Sequence, residues 1–408
     1  LQDAGYDMLN CDNGTYDAWY WAHPPGYMGH NVNLPDVSEL KKHIDIPVVC
    51  AGNMTPLKAA EAIKNNDIDA MGVARQFLVD PEWITKLMEN RMDEIKPCIR
   101  CHNGCFNMAH YKGVANDQSL SDALHMARCA LTPQTMQTKK YYIKPAKKIK
   151  EVAVIGGGIG GMEAAIVLAK RGHQVTLFEK SKELGGIFIT ASVPSFKESD
   201  RRLIEWYKRE IVKYPAIEIK LGFEVKDKES LAKVAHFDEI IVATGAESNH
   251  LRIPGSERCI RAVDYLNGNN KVGDNPIIIG GGLTGCEIAY DLELHGKKPS
   301  IIEMKNDLIA VRGVCLANSS YLRDYFEFKK TPVYLETSVK EVTDDGVIAV
   351  GKDGKEFEIR GSAVITSVGY KPTPLMKESR HVHLVGDCSS VGNLRTVIWR
   401  AWDVAMKI

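Results

Sequence analysis

One stretch of sequence occurs twice in the second half of the chain, and this repeat limits the possible folds more than any other feature. Residues 151–180, EVAVIGGGIGGMEAAIVLAKRGHQVTLFEK, are echoed by residues 275–304, NPIIIGGGLTGCEIAYDLELHGKKPSIIEM. In each copy the apolar pattern predicts a strand, a glycine-rich turn, a helix and a second strand that ends in a glutamate. The chain therefore contains two copies of one predicted βαβ unit.

The glycines of each turn suit the binding of a dinucleotide. The first permits a tight turn, the second lets the backbone approach a pyrophosphate, and the third allows close packing of the helix on the strand. The pyrophosphate then lies at a helix N-terminus, where unpaired N–H groups favour an anion, and the glutamate accepts from a ribose 2′-hydroxyl. The predicted binding residues are Gly156, Gly158, Gly161 and Glu179 in the first copy and Gly280, Gly282, Gly285 and Glu303 in the second.

A glycine turn can also simply pack a helix on a strand, but two matched copies favour two nucleotide sites, for FAD and a nicotinamide. The carboxylate of Glu303 would repel a 2′-phosphate, which favours NADH over NADPH, although Lys305 nearby could weaken this preference. VHLVGDC, residues 382–388, resembles the segment that contacts the ribityl chain of a flavin, which implies Gly386 and Asp387. Residues 149–408 thus resemble the pyridine nucleotide–disulfide oxidoreductase fold. The redox cysteine pair of that group is missing, so its disulfide chemistry is not implied.

A group of cysteines precedes the repeat. PCIRCHNGC, residues 97–105, contains Cys98, Cys101 and Cys105, and Cys129 is the next cysteine. Such thiols could bind zinc, form a disulfide or ligate an iron–sulfur cluster. Zinc sites usually combine two short ligand pairs, whereas three close thiolates and one distant thiolate suit a cubane, so the spacing favours a cluster and leaves zinc open. Most other cysteines lie singly in apolar runs, which indicates a reducing compartment. His102 is expected to be solvated or to lie outside the ligand set.

Residues 1–97 alternate between predicted strands and helices. YDMLNC (6–11), IPVVCAG (46–52) and DAMGVAR (69–75) are typical of buried parallel strands. Helices are predicted in DVSELKKHI and TPLKAAEAIKNN, the second with Thr55 as N-cap and Pro56 at its first position. This alternation is typical of a barrel or a doubly wound sheet.

The order of these segments resembles the iron–sulfur flavoenzymes of the old yellow enzyme superfamily, such as clostridial 2-enoate reductases, 2,4-dienoyl-CoA reductases and trimethylamine dehydrogenase. In that family an FMN-bearing (β/α)8 barrel precedes a [4Fe–4S] cluster and then FAD- and NAD(P)H-binding domains. The resemblance covers essentially the whole chain and implies that Cys98, Cys101, Cys105 and Cys129 hold a [4Fe–4S] cluster. It implies an α/β chain divided into part of an FMN barrel (1–97), an iron–sulfur segment (98–148), an FAD domain (149–250 and 371–408) and an NAD(P)H domain (251–370).

The resemblance maps the three predicted strands onto the last three of the barrel. A full barrel takes roughly 250 residues, and the chain starts at Leu1 rather than Met. We therefore expect that the chain starts after the beginning of its gene and that the strands carrying the proton donor are absent. The FMN phosphate is expected on the loops after the last two strands, at Gly52 and Asn53 and at Ala74 and Arg75. Arg75 could instead be a surface residue that pairs with a helix carboxylate.

An aromatic-rich segment follows the first strand. CDNGTYDAWYWAHPPGYM, residues 11–28, suits a pocket for a flat conjugated substrate, and aromatic packing of a long loop is the alternative. We expect Tyr16 to orient the substrate with its hydroxyl and His23 to be structural.

Charge and hydropathy exclude some functions. The formal net charge is +0, which argues against nucleic acid as a partner. No long apolar run or signal peptide is apparent, so a cytoplasmic protein without a membrane partner is expected. The resemblance implies an NADH-dependent reductase that passes electrons through FAD, the cluster and FMN to an activated C=C bond of a small unsaturated carbonyl compound. An amine dehydrogenase, an electron-supplying subunit and a non-catalytic fragment are the alternatives, and a homo-oligomer is compatible with the sequence.

Overall fold

Three short parallel strands begin the chain, as expected for part of a barrel. The computed structural model describes residues 1–15, 17–109, 127–311 and 313–408. The strands are β1 (Leu9–Cys11), β2 (Val48–Cys50) and β3 (Ala70–Met71), and they pair in the order β1-β2-β3. The helices around them are α1 (Trp19–Ala22), α2 (Leu34–Lys41), α3 (Pro56–Lys64), α4 (Arg75–Val79) and α5 (Trp83–Met88).

Local sequence explains where α3 begins, whereas the strands are shorter than expected. Thr55 is the N-cap of α3 and Pro56 its first residue, as predicted, but the Thr55 side chain makes no capping hydrogen bond. The β3 strand has only two residues in place of the predicted seven. Directly before β3, the Asp69 side chain accepts a hydrogen bond from the backbone N–H of Val48 at 2.7 Å. This N–H is then not available to a backbone carbonyl of a longer β3 strand, which is one reason why β3 is short.

The second half of the chain contains the remaining elements. A short helix, α6 (Phe106–Ala109), follows the cysteine-rich loop. The next strands and helices are β4 (Glu151–Ile155), α7 (Ile159–Lys170), β5 (Gln174–Glu179), α8 (Ile187–Ala191), α9 (Glu198–Ile211), β6 (Ile217–Leu221), α10 (Lys228–Ala232), β7 (Glu239–Val242) and β8 (Ala246–Ser248). They are followed by β9 (Ile260–Arg261), α11 (Ala262–Leu266), β10 (Pro276–Ile279), α12 (Leu283–Leu294), β11 (Ser300–Ile302), α13 (Leu316–Lys329), β12 (Val333–Tyr334), β13 (Ser338–Thr343), β14 (Gly346–Val350), β15 (Glu356–Arg360) and β16 (Ala363–Thr366). The last elements are β17 (Tyr370–Pro372), β18 (Val382–Leu384) and α14 (Leu394–Ala405).

These elements form two similar parallel sheets. The first has the order β18-β7-β4-β5-β6, and the second has the order β12-β11-β10-β16-β9. The predicted repeat is confirmed as β4-α7-β5 in the first sheet and β10-α12-β11 in the second. The chain leaves the first sheet through β8 and returns through β17, and these two strands pair in antiparallel fashion. Strands β13, β14 and β15 form a separate antiparallel sheet.

The largest core lies around α7. Nearly every residue of this helix is buried, because β4 and β5 cover one side and α9 and α14 pack against it as well. A helix with so little polar surface has to be enclosed on most sides. Its N-terminus is therefore held rigidly at the end of β4, where the first glycine turn lies. Among the helices that the structure describes, none is long and apolar enough to cross a membrane.

Candidate functional site

The first glycine turn has the close contacts that its sequence predicts. Gly156 has a φ of 108°, and a Cβ atom there would lie 2.4 Å from the carbonyl oxygen of Ala243. A Cβ atom at Gly161 would lie 1.9 Å from the carbonyl oxygen of Gly156. By contrast, a Cβ atom at Gly158 would meet nothing within 4 Å. Open space therefore lies beside the N-terminus of α7, where a pyrophosphate is expected.

The second glycine turn repeats this geometry. A Cβ atom at Gly280 would lie 2.3 Å from the carbonyl oxygen of Ser367, and one at Gly285 would lie 2.0 Å from that of Gly280. Gly282 again faces open space, with nothing within 4 Å of its ideal Cβ position. Both turns thus fit a dinucleotide in the same way.

The two terminal glutamates are held by the glycine turns themselves. In the first copy Glu179 accepts from the N–H groups of Gly157 and Ser181, each at 2.7 Å. In the second copy Glu303 accepts from Gly281 N at 2.7 Å and from Lys305 N at 2.9 Å. Each carboxylate is therefore fixed at the strand end where a ribose would lie, with lone pairs left for a 2′-hydroxyl.

Near the predicted ribityl-binding segment, Gly386 has a φ of 74° and is buried. Asp387 accepts from the N–H of Gly392 at 3.0 Å through Oδ1, and burial raises the pKa of its carboxyl. Both residues follow β18 in the first sheet, the sheet that carries the first glycine turn. Their role in FAD binding stays a prediction.

The four predicted cluster cysteines line one cavity. Cys98, Cys101, Cys105 and Cys129 all contribute to its wall, together with apolar side chains such as Leu131. All ten cysteines of the chain are free thiols. The structure thus brings Cys129 to the other three, as the resemblance implies.

A close backbone approach places Cys129. A Cβ atom at Gly104 would lie 2.3 Å from Ala130 N and 2.5 Å from the carbonyl carbon of Cys129, so only glycine fits. The N–H of Arg128 donates to the carbonyl of Gly104 at 2.7 Å. Trp399 Nε1 donates to the carbonyl of Cys129 at 3.1 Å, and the Arg128 guanidinium lies 3.6 Å from the Trp399 ring centre. These contacts join the distant cysteine to the cysteine-rich loop and to α14.

Burial strongly affects the thiols. It raises the pKa of Cys101 well above its usual value, that of Cys105 to about 11 and that of Cys129 to about 12. Backbone N–H groups oppose this effect, and one of them, from Leu131, lies 3.4 Å from the Cys129 sulfur. Buried thiols with N–H donors aimed at them are suited to metal ligation, in which the metal displaces the thiol protons.

His102 is neither solvated nor free to bind a metal. The residue is 1% exposed. Its Nε2 atom lies 2.6 Å from Arg75 Nη1, and its Nδ1 atom lies 2.7 Å from Asn318 Oδ1 on α13. Both ring nitrogens are therefore engaged by protein groups, and the alternative of a solvated His102 is wrong. Arg75 itself pairs with no carboxylate among the described residues.

A second, larger cavity borders the cysteines. Its wall includes Phe188 from α8, Leu283 from α12 and Leu394 from α14. Ile99 and Cys101 line both this cavity and the cysteine cavity. Leu283 directly follows Gly282 of the second glycine turn, so this space adjoins one of the predicted nucleotide sites. We call this space the flavin cavity.

A buried ion pair in the flavin cavity was missed by the sequence analysis. Lys197 Nζ lies 2.6 Å from Glu287 Oε2. The hydroxyl of Tyr27, from the loop after β1, donates to Glu287 Oε1 at 3.0 Å. A single acid in the apolar helix LTGCEIAY could have indicated the position of Glu287, whereas nothing local indicates Tyr27 as its partner.

The barrel loops keep their predicted residues at the C-terminal ends of the strands. Gly52 has a φ of 106°, and the Asn33 side chain lies 2.3 Å from its ideal Cβ position. Asn53 Nδ2 donates to the carbonyl of Gly29 at 3.1 Å. Ala74 is the N-cap of α4, directly before Arg75. Phosphate binding by these four predicted residues stays a prediction.

The aromatic segment packs against α6 and α13. Trp19 is buried and meets Phe106 edge-on at 5.1 Å between ring centres, and Tyr20 meets Tyr321 of α13 at 5.3 Å. The ring of His23 lies tilted against that of Phe106, at 3.9 Å between ring centres, as expected for a structural residue. Trp19 and Tyr20 therefore follow the alternative of loop packing. Tyr16, the predicted substrate-orienting residue, lies outside the described residues.

The two nucleotide folds and the flavin cavity define a flavoprotein that uses a pyridine nucleotide. The chain belongs to the pyridine nucleotide-disulphide oxidoreductase family, whose model matches residues 150–398. Residues 2–94 match the NADH:flavin oxidoreductase / NADH oxidase family. The predicted order of a flavin-oxidoreductase barrel segment before a pyridine-nucleotide half is confirmed.

Individual relatives share this order. The cinnamate reductase of Clostridium sporogenes is 38% identical over 415 residues, which cover 100% of this chain and 60% of that protein. The NADH oxidase of Thermoanaerobacter brockii is 32% identical, over 100% of this chain and 62% of that protein. A solved structure of 2-naphthoyl-CoA reductase in complex with 2-naphthoyl-CoA has a TM-score of 0.84 and 26% identity, and the match covers 99% of this chain and 60% of that one. The chain thus spans about three fifths of the length of these relatives.

Proposed function

We propose that this chain is the NADH-oxidising, electron-transferring part of an iron–sulfur flavoenzyme that reduces an activated C=C bond of an α,β-unsaturated carbonyl compound. The cofactors supply the redox chemistry, with NADH as hydride donor to FAD and with a [4Fe–4S] cluster that passes electrons to FMN. The names of the cinnamate reductase and 2-naphthoyl-CoA reductase relatives support an unsaturated substrate. The ten free thiols suit a reducing cytoplasm.

One observation carries this proposal: the cysteine cavity shares wall residues with the flavin cavity and with the predicted FMN phosphate loop. Cys101 and Ile99 separate it from the flavin cavity. On another side the wall includes Arg75, the residue at the predicted FMN phosphate loop. A centre held by the four cysteines would therefore be adjacent to both flavins, which is the order that electron transfer from FAD to FMN requires.

The spacing of the cysteines along the chain favours a cluster over zinc. Zinc sites usually combine two short ligand pairs, whereas a cubane binds one cysteine at each of four separate irons. Three of the cysteines lie in one loop, the fourth comes from a distant part of the chain, and all four line one cavity.

The chain's own residues have distinct tasks in this scheme. The two glycine turns bind the pyrophosphates, and Glu179 and Glu303 orient the riboses. The ion pair of Lys197 and Glu287 forms a polar, charge-balanced part of the wall of the flavin cavity. The apolar wall around Leu131 gives the thiols a largely apolar surrounding.

Anaerobic purification and metal analysis test this function. We expect about four irons per chain and a broad absorption near 400 nm, and NADH should reduce an artificial dye through the bound FAD. Stoichiometric zinc without iron would refute the cluster. The protein expressed from the whole gene should reduce an enoate, an enone or a conjugated tetrapyrrole with NADH, whereas oxidation of an amine with no such reduction would reverse the proposed direction.

A further inference from the structure

Oxidation of NADH releases a proton together with electrons. The C–H bond of the dihydronicotinamide breaks with its electron pair, so each NADH yields NAD⁺, two electrons and one proton. In the proposed function the two electrons leave one at a time through the centre held by the four cysteines. The proton has to leave by another route, through water or through a side chain of the flavin cavity, which adjoins the second glycine turn.

Six ionisable side chains line the flavin cavity. They are Tyr27, Arg100, Cys101, Lys197, Asp200 and Glu287. The guanidinium, the ammonium and the phenol already carry their protons at neutral pH. Cys101 is a predicted ligand of the metal centre. A side chain of this wall that accepts a proton therefore has to be one of the two carboxylates.

Both carboxylate oxygens of Glu287 are engaged. Its Oε1 atom accepts from the hydroxyl of Tyr27 at 3.0 Å, and its Oε2 atom lies 2.6 Å from Lys197 Nζ. A proton on this carboxylate would leave the ammonium of Lys197 without its counter-charge inside the protein, which is costly. Glu287 is therefore a poor proton acceptor.

The carboxylate of Asp200 has room for a proton. Asp200 lies in the first turn of α9, three positions after Lys197, and it is half-buried at the cavity wall. Among the residues that the structure describes, no backbone N–H and no side chain donates a hydrogen bond to this carboxylate. Its oxygens therefore keep their lone pairs, in contrast to those of Glu287.

The charges that face Asp200 leave it suited to this task. Burial raises the pKa of its carboxyl to about 6, against the opposing effect of Lys197. Glu287 raises this pKa further, and Arg100 and Arg201 lower it. A general base works best when its pKa lies close to the working pH. At neutral pH Asp200 is thus ionised and ready to accept a proton.

We propose that Asp200 accepts the proton that NADH oxidation leaves in the flavin cavity and passes it to solvent. This inference rests on the proposed function. For each NADH, two single electrons leave through the centre held by the four cysteines, and one proton forms an O–H bond on the Asp200 carboxylate. The carboxyl then releases this proton to water and is ionised again, so NAD⁺, two electrons and one proton account for each NADH consumed.

Anaerobic stopped-flow spectroscopy on the iron-loaded, flavin-loaded protein tests the proposal. NADH first bleaches the flavin band, and an excess of ferricenium, which accepts one electron per molecule, then restores it. Bleaching transfers the hydride whole and needs no proton acceptor, so Asp200→Asn should change its rate by less than about threefold. Restoration requires the proton to leave, and its rate should fall about a hundredfold, the low end of what a positioned acid or base contributes.

Two variants and a pH profile separate the carboxylate of Asp200 from the helix that carries it. Asp200→Glu keeps a carboxylate, so its restoration rate should stay within about tenfold of the wild type. Glu198 is the matched control: it lies in the same turn of α9, outside the cavity wall, with a side chain that is 55% exposed and lies 3.6 Å from His30. Glu198→Gln should stay within about threefold of the wild type. The wild-type restoration rate should rise with pH and level off above about 6, and this rise should be absent in Asp200→Asn.

Infrared spectroscopy follows the proton without any turnover. The difference spectrum between the wild type and Asp200→Asn should contain the C=O stretch of a protonated carboxyl at low pH. This band should disappear with a midpoint near the pH at which the restoration rate levels off.

An unchanged restoration rate in Asp200→Asn, at full iron and FAD content, would overturn the inference, because water would then take the proton unaided. An equal slowing in Glu198→Gln would also overturn it, since the helix rather than the carboxylate would be responsible. If Asp200→Asn loses FAD or iron, the wild type decides: a restoration rate that is independent of pH refutes the inference, and a rise that levels off together with the infrared midpoint supports it. Wild-type protein with zinc and no iron would refute the proposed function instead.

Discussion

The choice between NADH and NADPH is predicted by the position of one carboxylate. Glu303 is held at the end of β11 by the N–H groups of Gly281 and Lys305, at 2.7 and 2.9 Å. A 2′-phosphate would have to lie beside this charge. Two unit charges about 5 Å apart at an effective dielectric of about 20 repel by roughly 3 kcal/mol, which is about a hundredfold in kcat/KM. We therefore expect NADH to be preferred by that order, and Glu303→Gln to reduce the preference to about tenfold or less.

The assay is dye reduction with each nucleotide under anaerobic conditions, and the chain offers two controls. The ammonium of Lys305 donates to the carbonyl of Ala310 at 2.7 Å, so it is held by the backbone. Lys305→Met should therefore change the preference by less than about threefold. Glu179 has the corresponding position in the first copy, so Glu303→Gln should leave the FAD content unchanged. Equal kcat/KM for both nucleotides in the wild type, or an unchanged preference in Glu303→Gln, would refute the reasoning.

Three further outcomes follow from contacts in the site. The Gly104→Ala variant should lose most of its iron because the new methyl group would displace Cys129. The Gly29→Ala variant is the control and should keep its iron, since nothing lies within 4 Å of the ideal Cβ position there. Equal iron contents in the two variants would contradict this expectation. Lys197→Met leaves the Glu287 carboxylate buried without its cation and should cost about 3–5 kcal/mol of unfolding free energy, and Lys197→Met combined with Glu287→Leu should recover most of that loss in urea denaturation. Burial raises the pKa of Asp200 to about 6 from 3.8, so the folded chain binds more protons than the unfolded chain between these values, and stability falls as the pH rises through that window. Asp200→Asn should therefore raise the thermal midpoint at about pH 7.5 and not at about pH 4, and an equal effect at both pH values would count against it.

The sequence by itself determined the features that depend on a few neighbouring residues. The two glycine turns and the glutamates at the strand ends were predictable because the positions of Gly156 and Gly280 dictate the backbone locally. The start of α3 at Pro56 follows from the fixed φ of proline. The spacing of three cysteines favoured a cluster for the same reason, since ligands within one loop are constrained by local geometry.

Only the tertiary structure decided which distant residues meet. Tyr27 and Glu287 are 260 positions apart and share a buried hydrogen bond because a barrel loop docks on α12. Arg75 was predicted from its position after β3, but its contact with His102 depends on how the cysteine loop packs against the barrel end. Tyr20 packs against α13 because Tyr321 offers it an aromatic partner, whereas Trp19 meets Phe106 of α6. Periodicity along the chain carries no information on such contacts, since these contacts arise when complete surfaces dock on one another. The same docking buries ionisable side chains, and this burial shifts their pKa values.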